Sequence, residues 1–201
     1  MHRISLVSLL ALALAACQPE APTPVADSPA PAPAPTPAQA SPAPAAPAPS
    51  AAALARFDGY GSLRFGMSEA DARAAWDGAL GGGDPAATGD ACHYLFPASA
   101  ARPADLAFMF EGARLVRYDI GTGADVAPGG GKVGMGAADI RALYPGRVAE
   151  SPHKYVEGGL SLRIPATSGD GVLVFETDAD GRVTAWRAGL APQVDYVEGC
   201  S

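Results

Sequence analysis

The chain is 201 residues long, hydrophobic residues make up 48% of it, and its formal net charge is −7. This length leaves room for one domain with a real core beside a terminal extension. The acidic balance argues against nucleic acid as a partner and against electrostatic docking on anionic lipid, because both carry negative charge.

The N-terminus has the features of an export signal. A basic start, Met1–Arg3, precedes an apolar run of eleven residues, Ile4–Leu14. That run is too short for a bilayer core, which needs roughly 20 apolar residues. It ends in "LAAC", with small residues directly before Cys17, and this arrangement resembles the lipobox of bacterial lipoproteins. An ordinary signal peptide cleaved at Ala16, followed by a stray cysteine, is the alternative.

The lipobox resemblance implies a membrane anchor. Residues 1–16 would be removed, the Cys17 sulfur would carry a diacylglycerol, and the new amine would be acylated with a fatty acid such as palmitate. Three acyl chains exceed the two signals that stable anchoring requires. Gln18, rather than an aspartate, follows the cysteine, which implies delivery to the outer membrane with the domain facing the periplasm.

The composition of residues 17–55 predicts a disordered tether behind the lipidated cysteine. Twelve prolines fall between Pro19 and Pro49, many of them alternating with alanine. Such a stretch has few amide donors and cannot bury apolar surface, so we expect it to stay extended. At about 3.1 Å per residue it would reach roughly 100 Å. A passive spacer that lifts a domain off the membrane is the simplest interpretation.

Residues 56–201 predict one globular domain. Loss of Arg3 with the signal peptide leaves 13 basic and 21 acidic residues, a net charge of −8. Cys92 and Cys200 remain, and an even count in an exported chain indicates a disulfide. Closing a loop of about 108 residues would stabilise the fold by roughly 4 to 5 kcal/mol. Two free, buried thiols are the alternative.

A repeated motif sets the expected architecture. The segment "RFGMSEADARAAW", residues 64–76, is matched by "KVGMGAADIRALY", residues 132–144. Each copy begins with a Gly-Met turn and continues with apolar residues at helical spacing. Ser68 is a good helix N-cap, with Asp71 placed for a capping box. Each copy therefore predicts a helix that follows a turn whose methionine is buried.

Short alternating or apolar runs after each helix predict antiparallel strands, and Asp180-Gly181 is a strong hairpin signal. We expect an α+β fold of two tandem helix-plus-antiparallel-sheet repeats that share one sheet, because one unit could not cover such a sheet alone. Repeat 1 spans about 56–126 and repeat 2 about 127–201. The predicted strands are Cys92–Phe96, Leu106–Phe110, Arg114–Ile120, Lys154–Val156, Leu160–Ile164, Val172–Glu176 and Arg182–Arg187.

A Gly-Met turn that leads into a helix and then into several strands resembles the β-lactamase-inhibitor-protein-like and SmpA/OmlA-like lipoprotein families. The resemblance covers about 145 residues as a layout, and the paired Gly-Met turn is its one specific motif. It implies a non-catalytic module that binds proteins or helps to assemble the outer membrane. Those families' contact residues have no recognisable counterpart in this sequence. The C-terminal "VDYVEGCS" also resembles the ends of small lipoproteins that are called lectins.

Motifs for catalysis and metal binding are incomplete. Ser151–Lys154 satisfies Ser-x-x-Lys, but a proline sits where that motif needs a helix and its companion motifs do not occur. Glu176–Gly181 begins like a calcium loop, yet the twelfth position is Arg187 rather than glutamate. Lys132 is followed by valine, which rules out a P-loop, and the two mature histidines are widely separated, unlike zinc ligands. We expect no enzyme, no metal and no cofactor.

One segment without a counterpart in the first copy supplies most of the candidate ligand-binding residues. Residues 147–159, "RVAESPHKYVEGG", combine cations with an aromatic ring, a composition that suits protein hot spots and sugar stacking alike. Ordinary strand core is the competing interpretation of its tyrosine. The candidates are Arg147, His153, Lys154, Tyr155 and, on the sheet, Trp186.

The expected function is that of a lipid-anchored envelope binding module with an envelope protein as its partner. A glycan-binding, lectin-like module is the alternative. The two predict different surfaces: a glycan binder needs exposed aromatics in a groove rimmed by Asp, Asn and Arg, whereas a protein partner needs a flat apolar patch.

Overall fold

The computed structural model describes residues 54–82 and 92–200. The predicted signal peptide, Cys17 and nearly all of the predicted tether lie outside these residues. Within the described ranges, no helix is both long enough and apolar enough to cross a membrane.

Strands dominate the described part of the chain. It holds eleven strands and two helices of seven residues each, and a short 3-10 turn, Gln193–Asp195, follows the last strand. The helices are α1 (Glu69–Ala75) and α2 (Ala137–Leu143). The strands are β1 (Ala55–Arg56), β2 (Gly59–Tyr60), β3 (Leu63–Arg64), β4 (Leu80–Gly82), β5 (Cys92–Pro97), β6 (Leu106–Glu111), β7 (Arg114–Ile120), β8 (Ala149–Pro152), β9 (Leu160–Pro165), β10 (Val172–Thr177) and β11 (Val183–Gly189).

Eight of these strands form one antiparallel sheet. Its order is β4-β5-β6-β7-β11-β10-β9-β8, so the hairpins β6–β7 and β10–β11 meet at the centre. The central pairing places Trp186 opposite Ile120 and Arg187 opposite Asp119. Strands β1, β2 and β3 form a second, three-stranded antiparallel sheet.

The expected α+β class is wrong, because the described chain is mostly β and its two helices are short. The expected architecture had a single sheet shared by two helix-plus-sheet repeats, whereas β1, β2 and β3 form a separate three-stranded sheet. Helix α1 stops at Ala75 because Trp76 is extended, with φ −76° and ψ 134°. Leu80–Gly82 follows the helix as a short strand that pairs with β5. Two-residue strands such as β1 show no periodicity in a sequence.

Six of the seven predicted strands are confirmed, and their ends move by no more than two residues. The seventh is wrong, because Lys154–Val156 lies in the loop between β8 and β9. The imidazole of His153 explains this turn, since its Nδ1 accepts hydrogen bonds from the amides of Tyr155 and Val156 at 3.1 and 3.2 Å.

The two Gly-Met turns make the same local contacts. Gly66 N donates to Leu115 O at 2.8 Å, and Leu115 N donates to Met67 O at 2.9 Å. Gly134 and Met135 form the equivalent bonds with Val183, at 2.8 and 2.9 Å. Both glycines need a positive φ, 87° and 92°, which a side chain would strain. The repeated motif therefore joins each helix entry to the start of a central strand.

One face of the large sheet carries the main core. Side chains from α1, α2 and the small sheet pack there against alternate residues of the central strands. Trp186 is 1% exposed, with its ring 5.8 Å from that of Tyr118 and 6.3 Å from that of Phe175. Because strand side chains alternate between faces, the neighbours of these core residues point to the opposite face.

Candidate ligand-binding cleft

The opposite face of the eight-stranded sheet is where charged residues collect. Asp119 and Arg187 are direct partners on β7 and β11. Arg117 lies two residues along β7 from Asp119, and Glu176 lies on β10 beside β11, so the strand period brings all four to one face. Tyr94 joins them from β5, where it pairs with Met109.

Two ion pairs order these charges. Arg117 Nε lies 2.9 and 3.0 Å from the two carboxylate oxygens of Asp119, and Arg187 Nη1 lies 2.6 Å from Glu176 Oε1. Both arginines are about as buried as the core, at 4% and 5% exposure. Burial alone would lower the pKa of Arg117. The charge of Asp119 and the hydrogen bond to it raise this pKa by more, so the net shift is upward. Each buried arginine thus has a carboxylate beside it, as buried charges must be paired to be tolerated.

Residues 190–200, here named the C-terminal strap, cross this face. Val194 is fully buried against Val172 and Val174. Arg117 Nη1 donates to the carbonyls of Gln193 and Tyr196, at 3.0 and 2.6 Å. The strap covers part of the sheet face, and its carbonyls accept hydrogen bonds from Arg117 in addition to those that Asp119 accepts.

The Cys92–Cys200 disulfide is confirmed and fastens the end of the strap to β5. The two Cα atoms are 5.4 Å apart, across a sequence separation of 108 residues. Gly199, the residue before the cysteine, has a φ of +67°, and a Cβ built on it would lie 2.7 Å from the Tyr94 hydroxyl. The strap thus packs tightly on Tyr94.

A cleft of about 470 Å³ opens between the strap and the central strands, and it is named here the sheet-face cleft. That volume falls within the range of small-ligand sites. Both ion pairs and the partly exposed rings of Tyr94 and Phe96 line it. The other lining residues are Pro103, Ala104, Ala107, Ile120, Gly121, Ala185, Trp186 and Val197.

The Tyr94 hydroxyl is held in place by its hydrogen bond to Asp119. Burial raises its pKa first, and the nearby charge of Asp119 raises it further, together with a hydrogen bond to that carboxylate. The phenol therefore remains protonated at any physiological pH.

Phe96 is held at the cleft wall by a neighbouring glycine. A Cβ on Gly81, its partner on β4, would lie 3.3 Å from the Phe96 ring. The ring therefore packs close to the bare backbone of the edge strand, while part of its surface stays exposed.

The structure separates the predicted binding residues. Trp186 contributes to the lining of the cleft, but its ring belongs to the core face and is almost fully buried. Arg147 donates to the carbonyl of Pro165, at the far end of β9. Neither side chain joins the other three candidates in one exposed surface.

His153, Lys154 and Tyr155 do lie together, in the loop after β8. Lys154 Nζ is 4.9 Å above the Tyr155 ring and 2.8 Å from Glu198 of the strap. Tyr155 is 59% exposed, so its interpretation as strand core is wrong. His153 Nε2 lies 3.6 Å from Glu176 Oε2, which links this loop to the rear of the sheet-face cleft.

Of the residues that line the cleft, Trp186 alone was among the predicted binding residues. A usable signal was present in β7, "RLVRYDI", where Arg117 and Asp119 stand two apart inside an otherwise apolar strand. Charges at that spacing share a face of a strand. The missed residues are Tyr94, Phe96, Arg117, Asp119, Glu176 and Arg187.

Within residues 54–82 and 92–200, no three or more His, Cys, Asp or Glu side chains are grouped to hold a metal ion. The carboxylates of the cleft are instead engaged by arginines.

Comparisons with known proteins give little. No protein-family model matches the chain, and no curated protein matches it. The chain is similar in structure to an extracellular protein containing an SCP domain from Bacillus anthracis str. Ames, solved at 1.5 Å. The TM-score is 0.43 and the sequence identity 11%, and the similar region covers 63% of this chain but only 44% of that one. A likeness at this level carries no argument about function.

Proposed function

We propose that the protein is a lipid-anchored, non-catalytic binding module of the bacterial cell envelope, with its ligand in the sheet-face cleft. The observation that carries the proposal is a cleft of about 470 Å³ with two partly exposed aromatic rings beside two ion pairs. The lipobox-like sequence before Cys17 supports the location.

The state of the charged groups favours binding over catalysis. A general base or nucleophile needs a lone pair that is available to the substrate. Asp119 accepts from Arg117 through both oxygens, and Glu176 accepts from Arg187. These carboxylates are well placed as fixed acceptors, and the Tyr94 phenol beside them gives its one proton to Asp119.

The cleft favours a neutral glycan as the ligand. Its two arginines and two carboxylates cancel in formal charge, so it offers no net attraction to an anion or a cation. A sugar presents hydroxyls to such alternating donors and acceptors and an apolar ring face to Tyr94 and Phe96. The partly exposed rings and the Asp and Arg side chains of the cleft support this proposal.

A protein partner is the second candidate, and the loop after β8 favours it. Tyr155 is the most exposed large hydrophobic residue in the described part of the chain, and Lys154 covers one side of its ring. Tyrosine beside a cation is a common hot-spot arrangement.

Two matched variants separate these candidates. The full mature chain carrying Cys17→Ala would be tested on an array of bacterial envelope glycans and in pull-downs from envelope extract. Phe96→Ala removes a ring from the cleft, whereas Tyr155→Ala removes one from the loop. We expect Phe96→Ala to weaken glycan binding on the order of ten-fold, about 1.4 kcal/mol, and Tyr155→Ala to leave it unchanged.

The opposite pattern would reject the glycan assignment. Loss of a specific captured protein in Tyr155→Ala, with no glycan bound by the parent chain, would assign the loop as the site. Hydrolysis of any arrayed glycan by the parent chain would contradict the non-catalytic function.

A further inference from the structure

The base of the loop between β8 and β9, residues 153–159, is closed by backbone hydrogen bonds. His153 N donates to Gly159 O at 2.9 Å, and Gly159 N donates to Val156 O at 2.9 Å. All four of these atoms belong to the backbone, which does not titrate. The base of the loop should therefore keep its shape when the pH changes.

The tip of the loop, residues 154–156, is held by a side chain. The amides of Tyr155 and Val156 both donate to His153 Nδ1, at 3.1 and 3.2 Å. A ring nitrogen that accepts a hydrogen bond carries no proton, so the imidazole is neutral and keeps its one proton on Nε2. Lys154 adds a contact to Glu198. Of these contacts, the one through the imidazole changes between about pH 5 and 8, because histidine titrates there.

A carboxylate lies beside the other nitrogen of the ring. His153 Nε2 is 3.6 Å from Glu176 Oε2 on β10, and the two side chains are 10% and 15% exposed. The second oxygen of Glu176 accepts from Arg187 on β11 at 2.6 Å. The carboxylate attracts a protonated imidazole, and the charge of Arg187 opposes that attraction. Charged residues on the loop itself, on the strap and in the turn after β10 are Lys154, Glu157, Glu198, Asp178 and Asp180.

We propose that the loop after β8 is a pH-sensitive switch, in which neutral His153 holds the tip and protonated His153 releases it. A proton on Nδ1 would face the amide hydrogens of Tyr155 and Val156, so both hydrogen bonds would be lost. Half a turn of the ring would put Cδ2 in place of Nδ1, and a carbon atom cannot accept them either. The cation would be drawn to Glu176 instead. The ordered tip is therefore present while His153 is neutral and is lost as the pH falls and the ring takes up a proton.

The switch would regulate the second candidate site, the exposed tip of this loop. Tyr155 is 59% exposed, and Lys154 Nζ lies 4.9 Å above its ring. Near neutral pH the two side chains form one ordered surface for a protein partner, and acidification would disperse them and weaken the contact. This consequence rests on the proposed function, whereas the release of the tip does not.

NMR of the mature chain carrying Cys17→Ala tests the switch without any ligand. The ring nitrogen shifts of His153 report its protonation between about pH 7.5 and about pH 5, the range in which histidine titrates. We expect the amide shifts of Tyr155 and Val156 to follow that titration. The order parameters of residues 154–156 should fall from about 0.85 to below about 0.6 as the ring becomes charged. Those of β9 and β10 should stay near about 0.85.

The other histidine of the described residues is distinguishable in the same spectra. His93 Nε2 lies 2.9 Å from Glu69 Oε2, on the core side of the sheet. Titration of His93 should therefore move amides of α1 and β5 rather than those of the tip.

Two variants of His153 separate the acceptor from the charge. His153→Asn supplies a side-chain oxygen that can accept from amides two and three residues on, as asparagine does in turns, and it does not titrate. It should keep the tip ordered at both ends of the pH range, whereas His153→Ala removes the acceptor and should leave the tip disordered at both. Lys154→Ala, which removes the pair to Glu198 and keeps the imidazole, should retain the pH response of the wild type.

Four results would each overturn the inference. A His153 ring that titrates without moving the amides of Tyr155 and Val156 would show that it does not hold them. A ring that stays neutral down to about pH 5 would show that nothing switches in the range of histidine. An ordered tip in His153→Ala would show that other contacts suffice, and a tip of His153→Asn that loses order in acid would place the sensor elsewhere.

The proposed function and the switch fail separately. A protein captured through Tyr155 should be retained less in acid than at neutral pH. If no protein is captured at any pH, the second candidate function is rejected, and the NMR result still decides whether His153 holds the tip.

Discussion

Removal of one partner of the buried Arg187–Glu176 pair should destabilise the protein more than removal of both. Arg187 Nη1 lies 2.6 Å from Glu176 Oε1, and the two side chains are 6% and 15% exposed. Arg187→Met keeps an unbranched apolar stem in the same space. It leaves the Glu176 carboxylate without this partner and the Val194 carbonyl without its donor at 2.6 Å.

The expected cost follows from the burial of the charge that remains. Breaking a buried pair from one side costs about 3 to 5 kcal/mol. The lower end applies, because the Glu176 side chain keeps some solvent contact and His153 Nε2 lies 3.6 Å from it. Arg187→Met should therefore lower the free energy of unfolding by about 3 kcal/mol, and Arg187→Met/Glu176→Gln should recover about 2 kcal/mol of that loss.

Urea unfolding of the wild type, both single variants and the double variant measures this coupling. Arg163→Met is the matched control, since the Arg163–Asp195 pair is 2.9 Å long but its side chains are 38% and 45% exposed. It should cost less than about 1 kcal/mol. The reasoning fails if Arg187→Met costs no more than the control, or if the single losses simply add in the double variant.

Three further predictions concern the anchor, the turns and acid stability. Cys17→Ala should move the protein from the membrane to the soluble fraction, and a variant that still sediments with membranes would contradict lipidation. Met67 and Met135 are partly buried against the core, so Met67→Ala and Met135→Ala should each lower the free energy of unfolding by about 2 kcal/mol and lower the melting temperature. Ligand binding measured well below the melting temperature should be unchanged. A loss of binding with an unchanged melting temperature would make the turns contact sites. Burial raises the pKa of Glu69, but its hydrogen bonds to Arg73 and His93 lower this pKa by more. The pKa of Glu69 therefore lies below the ordinary 4.5. The stability that Glu69 adds is therefore present above about pH 4.5 and is lost as the pH falls through its lower folded-state pKa. In that pH range, the melting temperature of Glu69→Gln should fall less steeply with decreasing pH than that of the wild type. An unchanged slope would contradict the pairing of Glu69 with Arg73 and His93.

Local elements were predictable because their causes are local. The Gly-Met turns need a backbone conformation that glycine supplies, and Ser68 caps α1 by accepting from Asp71 N at 3.1 Å. β7 was predicted at its observed ends, since its apolar run is bounded by a turn on one side and Gly121 on the other. The fold class was not predicted correctly, because the length of α1 depended on where Trp76 packs in the folded protein.

The cleft was unpredictable from motifs because its residues are far apart in the chain. Tyr94 and Asp119 meet only when β5, β6 and β7 pair in register. Trp186 and Arg187 are neighbours in sequence, but the strand period sends one to the core and the other to the cleft. The tryptophan was predicted from its chemistry, whereas nothing local marked the arginine beside it as a cleft residue.

The sequence by itself determined the lipobox resemblance, the repeated turns, six strands and the pairing of two cysteines, because each depends on residues close together or on a count. Tertiary structure alone decided which face of the sheet each strand residue joins and where the C-terminal strap lies. Arg117 and Arg187 could be buried only because folding brought them carboxylates and strap carbonyls from 2 to 79 residues away. The strength of that pairing depends on exclusion of water by the folded sheet and strap, which no local pattern encodes.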